Sequence, residues 1–142
     1  MKTARAMVTV ALTAVAFAGA QTGHTSTEPN QLEGTWEHVF PNPGSTQRPP
    51  EGTRHIKLIA GQHFVWVLYD TAKGNPQYTA GGTYTLTGNS YTEHIDFMNV
   101  QSADKFVGKD QPFTIKLEGD TLTLSGTLPN GEKISEIWKR VD

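Results

Sequence analysis

From Leu32 to the end of the chain, apolar and polar residues alternate in short runs cut by glycine, asparagine, aspartate and proline, and no stretch carries helical spacing. That rhythm predicts an all-β domain of eight strands, at 33–40, 53–60, 62–70, 78–87, 90–98, 111–118, 121–128 and 132–141. The connections alternate as well. Residues 41–52, 71–77 and 99–110 are long links, whereas Ala60-Gly61, Gly88-Asn89 and Gly119-Asp120 mark tight turns. In an up-and-down antiparallel meander, alternate connections share an end. Long loops should therefore gather at a mouth and tight turns at a base. The expected architecture is an eight-stranded up-and-down antiparallel β-barrel, a size that encloses side chains or one small ligand.

Turn lengths set which residues face inward, because a strand slipped by one residue turns its whole apolar set outward. Two-residue turns at Gly119-Asp120 and Gly88-Asn89 place Leu117 opposite Leu122, Ile115 opposite Leu124, Leu86 opposite Tyr91 and Tyr84 opposite Glu93. A three-residue turn at Pro129-Asn130-Gly131 places Leu124 opposite Glu136 and Leu122 opposite Trp138. A three-residue turn after strand 53–60 would set Ile56 against Trp66 and Leu58 against Phe64. The expected interior is thus Trp36, Phe40, Ile56, Leu58, Phe64, Trp66, Leu68, Tyr84, Leu86, Tyr91, Glu93, Ile95, Phe97, Phe113, Ile115, Leu117, Leu122, Leu124, Ile134, Glu136, Trp138 and Arg140. Gly81-Gly82, inside a strand, predicts a bend or bulge of the wall.

The first 20 residues do not belong to this pattern. Lys2 and Arg5, an apolar run at 6–17 and Ala18-Gly19-Ala20 have the form of a secretory signal peptide, cleaved after Ala20. The apolar run is shorter than the ~20 residues that span a bilayer, so no stable membrane anchor is expected after cleavage; an uncleaved anchor is the alternative. Residues 21–31 are polar and aperiodic, a flexible linker to the domain at 32–142. The destination is periplasmic or secreted. Without cysteine, neither a disulfide nor thiol chemistry is available, and the domain must be held by its own core. Taking Lys2 and Arg5 from the twelve basic residues leaves ten against fourteen acidic ones, a formal charge of −4 with no basic run. Nucleic acid is not an expected partner.

Four motifs carry a family resemblance: Leu32-Glu33-Gly34-Thr35-Trp36, His63-Phe64-Val65-Trp66-Val67, Gly81-Gly82-Thr83-Tyr84-Thr85-Leu86 and Glu136-Ile137-Trp138-Lys139-Arg140-Val141. Across 32–141 the chain resembles the calycin superfamily, and within it a bacterial secreted lipocalin-like domain of unknown function. The resemblance implies that the first-strand Trp36 plugs the closed end and that the last-strand Arg140 packs across it. Fatty-acid-binding calycins receive the ligand carboxylate on an Arg and a Tyr of the last strand. Here Glu136 and Trp138 stand in those places, and a carboxylate does not attract a carboxylate. Pro41, Pro43, Pro49 and Pro50 leave no room for the helical lid of those relatives.

Two inward carboxylates among aromatics carry most of the chemical information. Glu93 and Glu136, with Trp66, Tyr84 and Trp138, could bind a cationic or hydroxyl-bearing molecule through cation–aromatic attraction and charge-assisted hydrogen bonds, with Arg54 near the mouth. Alternatively each carboxylate is satisfied internally, by Arg54, a tyrosine hydroxyl or water. Of the histidines His24, His38, His55, His63 and His94, no pair has a recognised metal spacing, so no metal and no cofactor are expected. His38 shares the inward face of its strand, but solvated strand histidines are the simpler account. No nucleophile motif or phosphate-cradling loop is present, and no catalytic residue is assigned. The leading expectation is an exported barrel that holds an unknown small molecule without catalysis. The alternatives are an enzyme using Glu93 and Glu136 as acid and base, or a filled barrel acting through protein–protein contacts.

Overall fold

Each strand pairs antiparallel with the next, and the last pairs with the first, so the sheet closes on itself with no free edge. The computed structural model describes residues 30–40 and 50–142. Its strands are β1 (Gly34–His38), β2 (Thr53–Ala60), β3 (His63–Asp70), β4 (Pro76–Thr87), β5 (Ser90–Met98), β6 (Asp110–Glu118), β7 (Thr121–Thr127) and β8 (Lys133–Arg140). A 3-10 turn, Ala103–Lys105, interrupts the β5–β6 link. The expected signal peptide at 1–20, the linker up to residue 29 and the proline-rich stretch 41–49 lie outside the described residues.

The three base turns share one device. Gly61, Gly88 and Gly119 each take the first turn position at φ +57°, +61° and +56°, and no described non-glycine residue has positive φ. Glycine first and an ordinary residue second is the pattern of a type II′ hairpin, whose twist matches that of the flanking strands. Three registers follow as the turn lengths require: Tyr84 faces Glu93, Ile115 faces Leu124 and Leu122 faces Trp138.

The β2–β3 register differs from expectation by one residue. The turn is Gly61-Gln62, two residues rather than three, so Ala60 pairs with His63, Lys57 with Trp66 and Ile59 with Phe64. Phe64, Trp66 and Leu68 still point inward, but β2 is reversed: Ile59, Lys57 and His55 face the interior, and Leu58 is 48% exposed outside. Ile56 shares the outer face with Leu58 and is half-buried. The apolar pattern misled because Ile56 and Leu58 suit a core better than His55 and Lys57. The glycine turn overrides it by fixing the pairing at the hairpin end.

A bulge interrupts the β4–β5 ladder where the paired glycines stand. Gly82 faces Ile95 and Gly81 faces Phe97, leaving Asp96 unpaired. A Cβ on Gly82 would lie 1.9 Å from the His94 carbonyl oxygen, and one on Gly81 would meet the Phe97 ring at 2.7 Å. The extra residue resets the alternation, so Phe97, expected inside, is 47% exposed over Gly81, and Met98 packs on the core instead. Leu86 also leaves the expected interior. It pairs with Tyr91 but stands beside the turn and is 39% exposed.

The core fills the tight-turn end. Leu32, Trp36, Ile59, Phe64, Tyr84, Tyr91, Ile115, Leu122 and Leu124 form one buried cluster there. Trp36 is fully buried, and its Nε1 donates to the Leu32 carbonyl at 2.9 Å. The Arg140 guanidinium lies over the Trp36 ring at 4.2 Å, worth roughly 0.5–2 kcal/mol. Arg140 also donates to the carbonyls of Glu33 and Gln31, tying the incoming chain to the last strand.

Candidate functional site

Above that packed base the barrel is hollow. A cavity of about 1020 Å³ opens at the loop end, walled toward the mouth by Leu68, Tyr78, Met98, Phe106, Leu128 and Ile134. Eight strands permit such a space when the inward side chains stop short of the axis. The described residues leave this space open, which differs from the alternative of a barrel filled by its own side chains.

The deeper lining is polar and is built by register. Lys57 sits between Trp36 on β1 and Trp66 on β3, and its Nζ donates to Glu93 Oε1 at 2.8 Å. Both side chains are almost sealed, at 4% and 5% exposed. The Tyr91 hydroxyl donates to the same Oε1 at 2.9 Å. The Lys57 ammonium also lies 5.0 Å from the centre of a Trp138 ring, and the rings of Phe64 and Tyr91 flank it at 5.8 Å. Of the aromatic seat that the sequence offered to a cationic ligand, Trp66, Tyr84 and Trp138, the protein's own lysine takes the Trp138 ring. Burial, and then the Glu93 carboxylate, push the Tyr91 phenol well above its ordinary range.

Glu136 is held differently. Its Oε2 accepts from Trp138 Nε1 at 3.0 Å, two residues along the same strand face. Burial raises its pKa, against the pull of Lys57 and the Trp138 hydrogen bond; Glu93 adds to the rise. Beside it, His38 and His55 meet Nδ1 to Nδ1 at 3.2 Å. His38 stacks on Trp138 at 4.7 Å, and His55 stands edge-on to Trp138 at 4.7 Å and to Trp66 at 5.2 Å. Burial, with the Lys57 charge, lowers His38 to about 4; burial, then His38 and Lys57, lowers His55 to about 3. Both rings are therefore neutral near neutrality. The contact requires opposite tautomers: one ring carries its proton on Nδ1 and donates, and the other presents a bare Nδ1 that accepts.

The sequence-derived site residues divide into three groups. Trp66, Glu93, Glu136 and Trp138 line the cavity. Tyr84 does not: its hydroxyl donates to the Gly61 carbonyl at 2.8 Å and accepts from Asn30, which places it in the base. Arg54 stands on the outer wall in a two-pronged pair with Glu37, each bond 2.7 Å, a consequence of the β2 reversal. Arg54 in turn holds the Glu37 carboxyl below its usual range. Sequence reasoning missed Lys57, His55 and Gln111, and treated His38 as solvated. The signal for the β2 pair was Gly61-Gln62 read as a two-residue turn, which puts Lys57 beside Trp66 on the inner face. Among the described residues no group of three or more His, Cys, Asp or Glu is placed to hold a metal ion.

The arrangement can receive an amphipathic molecule, with apolar cover near the mouth and hydrogen-bonding groups below. A family model described as Domain of unknown function (DUF4488) matches residues 31–142. A search of curated proteins found no match for the chain.

Proposed function

The chain belongs to the DUF4488 family, and on that premise we propose that it is an exported binding protein that holds one small molecule inside its barrel without turning it over. The observation that carries this reading is the cavity of about 1020 Å³, with a polar rim, an apolar band below it and hydrogen-bonding groups deeper in. Its size lies at the upper end of the ~300–1,000 Å³ of small-molecule sites. The calycin-like arrangement of the two end strands and the signal-like leader agree with a carrier that works outside the cytoplasm.

Native mass spectrometry of the protein recovered from its own host tests the reading. The expected spectrum shows a chain beginning at Gln21 with a small molecule retained. An unprocessed chain would count against export. An empty barrel that also gives no tryptophan-fluorescence response to any amphipathic probe would count against binding. Trp66 and Trp138 line the cavity, so occupancy should change their emission.

A second reading is an acid–base enzyme, favoured by Glu136 with its raised proton affinity beside two neutral imidazoles. Glu93 suits that role poorly, since Lys57 and Tyr91 both occupy its Oε1. Turnover abolished by Glu136→Gln would replace the binding reading with this one.

A further inference from the structure

We propose that the head group of the bound molecule is a primary ammonium seated against Glu136, with Glu93 and Gln111 completing its hydrogen bonds. This rests on the binding reading of the same cavity and adds the chemical class of the ligand. Below a rim that carries Asp104, Lys105 and Glu132, the cavity wall holds two acids, Glu93 and Glu136, against one cation, Lys57, while His38 and His55 stay neutral. Lys57 is already committed to Glu93 at 2.8 Å. Glu136 forms no ion pair with the described residues, and burial favours its neutral, protonated form.

The unmet hydrogen-bonding capacity has the same sign. Glu93 uses Oε1 for both of its donors, Glu136 uses Oε2 for Trp138, and Gln111 spends its Nε2 on the Asp110 carbonyl. Glu93 Oε2, Glu136 Oε1 and Gln111 Oε1 accept nothing from the described residues. Gln111 is only 4% exposed, lines the cavity and is the cross-strand neighbour of Glu93. None of the three is sealed from water, since the one buried side-chain polar atom without a partner among the described residues is His55 Nε2; they face the cavity, where a ligand that supplies donors takes the place of water. An ammonium brings three N–H donors and one positive charge; an alcohol brings one donor and no charge; a carboxylate brings neither.

Binding should be linked to a proton. Burial favours the protonated form of Glu136, so an arriving ammonium displaces that proton. The charged groups that act on Glu136 are Lys57 from β2 and Glu93 from β5, and His38 from β1 and His55 from β2 line the same cavity. Leu124, its partner on β7, does not titrate, and Asp104, Lys105 and Glu132 stand at the cavity rim. Since His38 and His55 are already neutral above about pH 6, they contribute no proton to the exchange.

Isothermal titration calorimetry of the full chain with octylamine, octanol and octanoate tests this, because the three probes share one tail. Octylamine should bind at least about tenfold more tightly than octanol, and octanoate most weakly. Octylamine should bind more tightly as pH rises through the range in which Glu136 loses its proton, with proton release visible as a dependence of the heat on buffer ionisation. Glu136→Gln should weaken octylamine roughly thirtyfold while leaving octanol within about twofold, which also shows the pocket intact. Octanol or octanoate binding as tightly as octylamine overturns the inference, as does octylamine affinity indifferent to Glu136→Gln. A neutral or anionic molecule retained from the host, with no octylamine binding, sinks the ammonium and leaves the binding reading standing. Failure of every probe together with an empty barrel sinks both.

Discussion

Lys57 is the residue on which the interior turns. Its ammonium is out of water, held by Glu93 and enclosed by the rings of Phe64, Tyr91 and Trp138. A buried pair gains little over a well-packed apolar pair, but either partner alone is strongly destabilising. Lys57→Met is therefore expected to lower stability by about 3–5 kcal/mol in urea unfolding, and Lys57→Met with Glu93→Leu to recover most of the loss. The histidines make a separate prediction. Their folded pKa values, about 4 and about 3, lie below the unfolded value of 6.5, so the unfolded chain takes up protons first as pH falls. Their contribution is fully present above pH 6.5 and is lost on descending toward the folded values, by about 1.4 kcal/mol per pH unit for each ring. Glu136 acts in the opposite sense, since its folded pKa is raised and its protonated form is favoured by folding. Stability measured from about pH 7 to about pH 5 should fall steeply for the native chain and much less for the His38→Leu/His55→Leu variant.

Among the elements, the hairpins and the bulge decide which side chains meet. Reading Gly88-Asn89 and Gly119-Asp120 as two-residue turns yields the correct pairing of β4 with β5 and of β6 with β7. The same reading of Gly61-Gln62 yields the correct pairing of β2 with β3, but both faces of β3 are apolar and allow either phase. Gly82 is the tightest point of the wall. Gly82→Ala would place a methyl 1.9 Å from the His94 carbonyl oxygen, and neither backbone can yield without breaking the ladder. The expected loss is about 2–4 kcal/mol in thermal or urea unfolding; an unchanged midpoint would show that the bulge relaxes freely.

For the molecule as a whole, closure depends on the junction of β1 and β8. Trp36 pairs with Arg140 in register, and His38 with Trp138. The same junction therefore seals the base and brings a cavity histidine against a cavity tryptophan. Trp36→Ala removes the largest side chain of the base and should cost about 3–5 kcal/mol. Arg140→Met, which keeps the apolar stem over the indole and loses the two carbonyl hydrogen bonds, should cost about 1–2 kcal/mol. Urea unfolding of both variants checks the order; an Arg140→Met loss equal to that of Trp36→Ala would mean that the guanidinium, rather than the indole, holds the base.

The chain's own residues determined the all-β class, the number of strands, their up-and-down order and the meeting of the two ends, because alternation and turn chemistry act over short stretches. They also placed Glu93, Glu136, Trp66 and Trp138 on the inner face, for the same reason. The partner of Glu93, the neutral histidine pair and the hollow above the base were decided only in three dimensions. A lysine reads as exposed until a carboxylate from another strand faces it. A histidine's charge follows from how far its neighbours exclude water. Whether eight strands enclose a core or a cavity depends on how far the inward side chains reach toward the axis, a property of the closed barrel rather than of any strand.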